Sequence, residues 1–228
     1  MSKKILTAIK SFSNKPLRFL VNTHYHGDHS GGNENMTKAG ATIIAHDNVK
    51  KRLEAKQRDG SFNPKEALPV ITFNDKLNIT INDETIAVFH VANAHTDGDA
   101  LLYFTKSNVL HTGDTYFNGR YPYIDINSGG TVNGYIEAVK RGLMVIDEDT
   151  QIIPGHGKLS NKEDYKRFLK MLEALRTNIQ KEIDEGKTED EVKANTSLTK
   201  TYDDLGFGTG FINSEKIRLT FYKSLREE

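Results

Sequence analysis

Between Thr23 and Asn33 the chain reads Thr-His-Tyr-His-Gly-Asp-His-Ser-Gly-Gly-Asn, with His24, His26, Asp28 and His29 inside six residues. No hydrophobic core accepts such a run cheaply, because each imidazole and carboxylate must be paired or hydrogen-bonded once it leaves water. A metal ion satisfies them together. The preceding residues 17–22 (Leu-Arg-Phe-Leu-Val-Asn) have the composition of a buried strand, and the Gly-Asp after His26 that of a turn. At the frayed end of a strand, the i, i+2 spacing of His24 and His26 sends both rings to one side. Asp28 and His29 lie past the turn, better placed for a second ion close by. The chain has no cysteine, so thiolate sites and disulfides are excluded and His, Asp and Glu are the strong ligands left.

Around this segment the pattern predicts a short amphipathic helix over residues 3–12, strands at 17–22 and 41–45, and a helix capped by Asp47 that carries Val49 and Leu53. Short β pieces follow at 70–73, 77–81 and 85–91, then 100–104 and 109–112 as a hairpin. A helix is expected over 131–145 and a strand at 151–154. Ser160 and Glu163 suggest a capping box ahead of a long helix that Gly186 stops, and a last helix runs from 214 to 225. Nothing marks a linker, so the 228 residues are expected to form one domain, with a core at 5–160 and a helical part at 160–228. Thirty-one basic against 31 acidic residues give no charged surface for nucleic acid or an anionic membrane, which leaves a small-molecule substrate as the expected partner. No signal peptide or membrane-spanning stretch is evident, so the cytoplasm is the default compartment.

Three later segments share the character of the first: His95-Thr96-Asp97-Gly98-Asp99, His111-Thr112-Gly113-Asp114 and Pro154-Gly155-His156-Gly157. Each sets a ligand-capable residue in a glycine-containing turn just past a β run, where a sheet presents a site at its rim. His46, His90 and His111 read as structural histidines. Asp97 and Asp99 read as turn formers, and Gly206 to Gly210 as a plain loop. The aromatic run Tyr116 to Tyr123 is expected to line a substrate mouth, since it leaves directly from Asp114.

The His-x-His-x-Asp-His loop at 24–29, the later His95, Asp114 in its Gly-Asp turn and His156 in Pro-Gly-His-Gly together resemble the metallo-β-lactamase superfamily over residues 5–160. The ligand set is similar to that of glyoxalase II and of bacterial metallo-hydrolases of that fold. The resemblance implies an α/β fold of the αββα sandwich type, with two mixed sheets and helices outside. It implies two zinc ions, iron or manganese being the alternatives: one held by His24, His26 and His95, the other by Asp28, His29 and His156, with Asp114 bridging.

The implied activity is hydrolysis of an ester, lactone or thioester by a metal-bridging hydroxide, with Asp28 as a proton shuttle beside its ligand role. The alternatives are β-lactam hydrolysis and a non-hydrolytic iron protein of redox or sensing function. Asp114 weighs against lactams, because zinc β-lactamases usually lack a bridging aspartate there. Family members also carry several strands before the helix that here begins at Lys3. The expectation is therefore that Met1 is an internal or artificial start and that the chain is a fragment of a longer, exported or periplasmic hydrolase, or else a short form completed as a homo-oligomer. In either case the edge around Phe19 to Val21 would be left open.

Overall fold

A helix between two strands returns the chain in the direction it came from, so the early strand-helix-strand alternation should give a parallel sheet. The computed structural model describes residues 2–57 and 59–227, which divide into two compact units, Met1–Leu77 and Asn78–Glu228. In the first unit α1 (Ser2–Phe12) precedes β1 (Phe19–Val21), and α2 (Gly27–Ser30) and α3 (Asn33–Lys38) lead to β2 (Thr42–His46). α4 (Asp47–Glu54) then leads to β3 (Ile71–Phe73). The strands pair in the order β1-β2-β3 with both ladders parallel, so this sheet is wholly parallel rather than mixed.

Central β2 is the most buried strand of the three, and Val49 and Leu53, one helical turn apart on α4, close over its Ala45. β1 is an edge strand among the described residues, with all three side chains half-buried. The expected Asp47 cap is replaced by His46. β2 runs straight into α4, so the last strand residue caps the helix: its Nδ1 accepts from the Asn48 N–H, and Nε2 donates to the Asn74 carbonyl at 2.9 Å.

The segment after β1 is tied down by a reciprocal amide pair. Asn22 and Asn33 are both buried and exchange two hydrogen bonds of 2.9 Å, and Asn33 also donates to the Ala67 carbonyl at 2.9 Å. Asn33→Ala leaves the Asn22 amide and that carbonyl without this partner in the interior, so unfolding free energy in denaturant should fall by about 2–3 kcal/mol. A loss below about 0.5 kcal/mol would show that other groups take over both bonds.

The second sheet has the order β4 (Lys76–Ile81), β5 (Glu84–His90), β6 (Ala100–Phe104), β7 (Val109–Phe117), β8 (Gln151–His156). β5, β6 and β7 are antiparallel in turn. β8 lies parallel to β7 because α5 (Val132–Val145) makes the crossover between them. Asn82 and Asp83 join β4 to β5 with φ of 54° and 59°, the paired left-handed conformation of a two-residue hairpin turn, which Asn and Asp tolerate best after glycine.

α6 (Lys162–Asp184), α7 (Glu189–Ala194), α8 (Lys200–Asp203) and α9 (Ser214–Glu227) complete the unit. Leu101, Leu110 and Ile152 from the sheet meet Tyr135 and Val139 of α5, Phe168 and Leu172 of α6, and Phe221 of α9 in one core. The expected Ser160–Glu163 capping box is absent. Ser160 instead bridges to Ile152 with both backbone groups, and Asn161 caps α6 by accepting from the Asp164 N–H. A true capping box sits at α7, between Thr188 and Glu191. Gly186 ends α6 as expected, at φ 78°. Among the described residues no helix is long and apolar enough to cross a membrane.

Candidate metal centre

In the first unit β1 stops at Val21, and the chain turns through Thr23 to Tyr25 into the single turn of α2. Ser30 locks that turn by donating to the carbonyls of Tyr25 and His26 at 2.8 and 3.1 Å. The ring of His24, fully buried, lies 4.9 Å from that of His26 and 4.2 Å from that of His29. Its Nδ1 is 3.1 Å from the Thr23 hydroxyl. Asp28 is more exposed, with one carboxylate oxygen 3.4 Å from His29 Nε2. The four residues thus converge as the spacing predicts, though on a loop and one helical turn rather than on the strand itself.

The second unit brings together His95 from the loop before β6, Asp114 from within β7 and His156 from the end of β8. Asp114 is nearly fully buried, and its Oδ2 stands 3.6 Å from His95 Nε2 and 3.3 Å from His156 Nε2. The sequence expects β7 to end at Thr112, but it continues to Phe117. Two register shifts against β8, between His111 and Gly113 and between Gly113 and Phe117, bulge the strand at Asp114. A bulge re-aims one side chain out of the regular alternation. Tyr135 of α5 donates to the Asp114 carbonyl at 2.6 Å, holding the bulge from behind. Burial raises the Tyr135 phenol well above its usual range, so the group stays a donor.

His95 is oriented with equal care. A carbonyl only accepts, so the 2.7 Å contact between His95 Nδ1 and the Tyr123 carbonyl puts the proton on Nδ1 and turns the Nε2 lone pair toward Asp114. The Asp125 N–H donates to the His95 carbonyl at 2.9 Å, closing the loop. His156 is stacked on Phe117, its register partner across the ladder, at 4.9 Å and 21°.

These separations test whether a metal fits. Two ligand atoms on one tetrahedral ion, each at about 2.1 Å, stand about 3.4 Å apart. The three Nε2-to-carboxylate distances, 3.4, 3.6 and 3.3 Å, bracket that edge, and the donor set is nitrogen and oxygen throughout, as zinc accepts. The residues fit.

His46, His90 and His111 have structural roles, as the sequence suggests: His90 Nδ1 bonds the Asp99 carbonyl, and His111 Nδ1 accepts from the Gly113 N–H. Asp99 is a turn former, accepting from the Thr96 N–H at 2.7 Å and the Thr96 hydroxyl at 2.8 Å, but it is also buried, and burial pushes its carboxyl up to about 8. The aromatic run needs correction. Tyr116 and Tyr121 are each 1% exposed and belong to the core, with hydroxyls bonded to Ser160 and Asp203, whereas Tyr123 and Phe117 lie against His95 at 5.6 and 6.3 Å. The supports Thr23, Phe117, Tyr123 and Tyr135 carry no motif of their own and were not singled out for these roles by sequence.

Residues 3–179 match the family model of the metallo-beta-lactamase superfamily, and the chain belongs to that family. Among curated relatives it is 30% identical to a hydroxyacylglutathione hydrolase of Polaromonas sp. over 62% of this chain and 49% of the relative. It is 26% identical to the 2,4-dinitroanisole O-demethylase subunit alpha of Nocardioides sp. over 67% of this chain and 44% of the relative. The chain thus spans about half the length of these relatives. Among solved structures, a metallo-beta-lactamase from Pontibacter korlensis superposes with a TM-score of 0.63 at 19% identity, covering 75% of this chain and 76% of the other. The BLEG-1 B3 metallo-beta-lactamase does so with 0.63 at 23%, covering 74% and 84%. These likenesses show the fold, a mixed α/β architecture of the metallo-β-lactamase type.

Proposed function

We propose that this chain is a dinuclear metal-dependent hydrolase of an ester, lactone or thioester, with His24, His26, Asp28, His29, His95, Asp114 and His156 as its metal ligands. One observation carries the reading: a single buried carboxylate oxygen, Asp114 Oδ2, lies at ligand-to-ligand distance from two imidazole nitrogens, one from His95 and one from His156. A carboxylate placed so can serve two ions at once. Bound divalent ions supply a water acidic enough to ionise near neutral pH and an electrophile for a carbonyl oxygen. By the family resemblance His24, His26 and His95 would hold one ion, and Asp28, His29 and His156 the other. Asp28, the most exposed of the seven, is free of the burial that would keep it from exchanging a proton with solvent.

The acyl substrate class is supported by the hydroxyacylglutathione hydrolases among the curated relatives and by Asp114 standing where zinc β-lactamases usually lack an aspartate. The test is elemental analysis of zinc-loaded protein together with turnover of a phenyl ester, a lactone, a thioester and a penicillin. About two ions per chain and acyl turnover ahead of the penicillin are expected. A single ion whose retention ignores His156→Ala, or hydrolysis of the penicillin alone, overturns it.

A further inference from the structure

Deepening the hydrolase reading and resting on it, we infer that Phe211, Lys216 and Arg120 form the specificity end of the site and select substrates whose apolar portion carries a carboxylate. A line of rings leads outward from His95: Tyr123 packs edge-on at 5.6 Å, and Phe211 packs edge-on against Tyr123 at 5.7 Å. Phe211 is 74% exposed, although a phenyl ring left in water forgoes about 2 kcal/mol of burial and Ile212 beside it is buried. The loop is not loosely draped, since it is pinned by the left-handed Gly206 and by the Asn213 carboxamide accepting from the Lys216 N–H at 2.8 Å.

Two cationic side chains lie at this loop. Lys216 Nζ lies 5.3 Å from the Phe211 centroid, and the Arg120 stem lies over the backbone beside it, where a Cβ on Gly210 would come within 3.9 Å of Arg120 Cδ. Among the described residues neither is engaged by a carboxylate, the neighbouring Glu215 being turned to Lys193 at 3.3 Å. An exposed ring joined to His95 through one tyrosine, with Lys216 over its face and the Arg120 stem beside Gly210, suits a ligand that is apolar along its length and anionic at its end.

The test compares mono-para-nitrophenyl glutarate with its neutral counterpart, para-nitrophenyl pentanoate, on zinc-loaded protein. Wild type should favour the glutarate by about fivefold in kcat/KM, carried by KM. The ratio should fall to near one in Lys216→Gln combined with Arg120→Gln, and Lys216→Arg should retain it. Phe211→Ala should raise KM for both esters and leave kcat and zinc content unchanged. A ratio unmoved by the double substitution overturns the inference while leaving the hydrolase reading intact. Binding is followed in parallel by NMR with phenylbutyrate and its amide, which no hydrolase consumes. Wild type should hold the acid about fivefold more tightly than the double variant does, with the amide indifferent. Equal affinities sink the inference even if neither ester is turned over, an outcome that would count separately against the hydrolase reading.

Discussion

Replacing Asp114 by alanine should lower turnover by more than about 100-fold, the upper range for groups that merely orient a ligand, and should take the zinc content from about two ions toward one. The expectation follows from position. Asp114 Oδ2 stands within 3.6 Å of both His95 Nε2 and His156 Nε2. Without it the two imidazoles share no anion, and the charge of two nearby cations is less well balanced. Asp114→Asn keeps the shape and removes the charge, so it separates the two contributions: a deficit equal to that of alanine assigns the effect to charge. The metal-free variants should unfold near the wild-type midpoint, because Tyr135 holds the backbone carbonyl of residue 114 and not its side chain. Full activity with two ions retained in Asp114→Ala would rule out the bridging role.

What made the centre legible was density. His24, His26, Asp28 and His29 need no fold to be suspicious, because their ionisable groups are crowded within one loop. His95, Asp114 and His156 were visible through their glycine turns and their order along the chain, which is a property of the scaffold, and the structure does bring these three together. The strands and long helices were legible for the usual reason, an apolar period that matches the element. Caps and aromatics were not. His46 wins over Asp47 because β2 runs straight into α4, and Asn161 over Ser160 because Ser160 is paired with Ile152. Tyr116 passes into the core because β7 runs on past its expected end, and Tyr121 because its hydroxyl is held by Thr199 and Asp203. A bulge is set by pairing with a strand some forty residues away, and local pattern holds no record of it.

That same bulge makes Gly155, between Pro154 and His156, the position where the smallest addition should do most harm. A Cβ built there would stand 2.1 Å from Asp114 Oδ1, 2.6 Å from the Gly113 carbonyl oxygen and 2.7 Å from its carbon. The carboxylate could swing aside, although only by leaving the place between His95 and His156 that defines its role. The carbonyl cannot, since it belongs to the β7 backbone, so β8 would have to part from β7 at His156. Gly155→Ala is therefore expected to cost about 1–3 kcal/mol of stability in the metal-free protein, as overpacking does, and to weaken zinc retention beyond that loss. Gly27→Ala is the matched control, beside His26 but with nothing within 4 Å of the new methyl group, and should stay within about 0.5 kcal/mol of wild type. Denaturant unfolding of both variants with zinc and with chelator gives the comparison. A Gly155→Ala protein as stable and as zinc-rich as Gly27→Ala would mean that β7 and β8 do not approach so closely at the site, and that Asp114 is held there by something other than the fit of this turn.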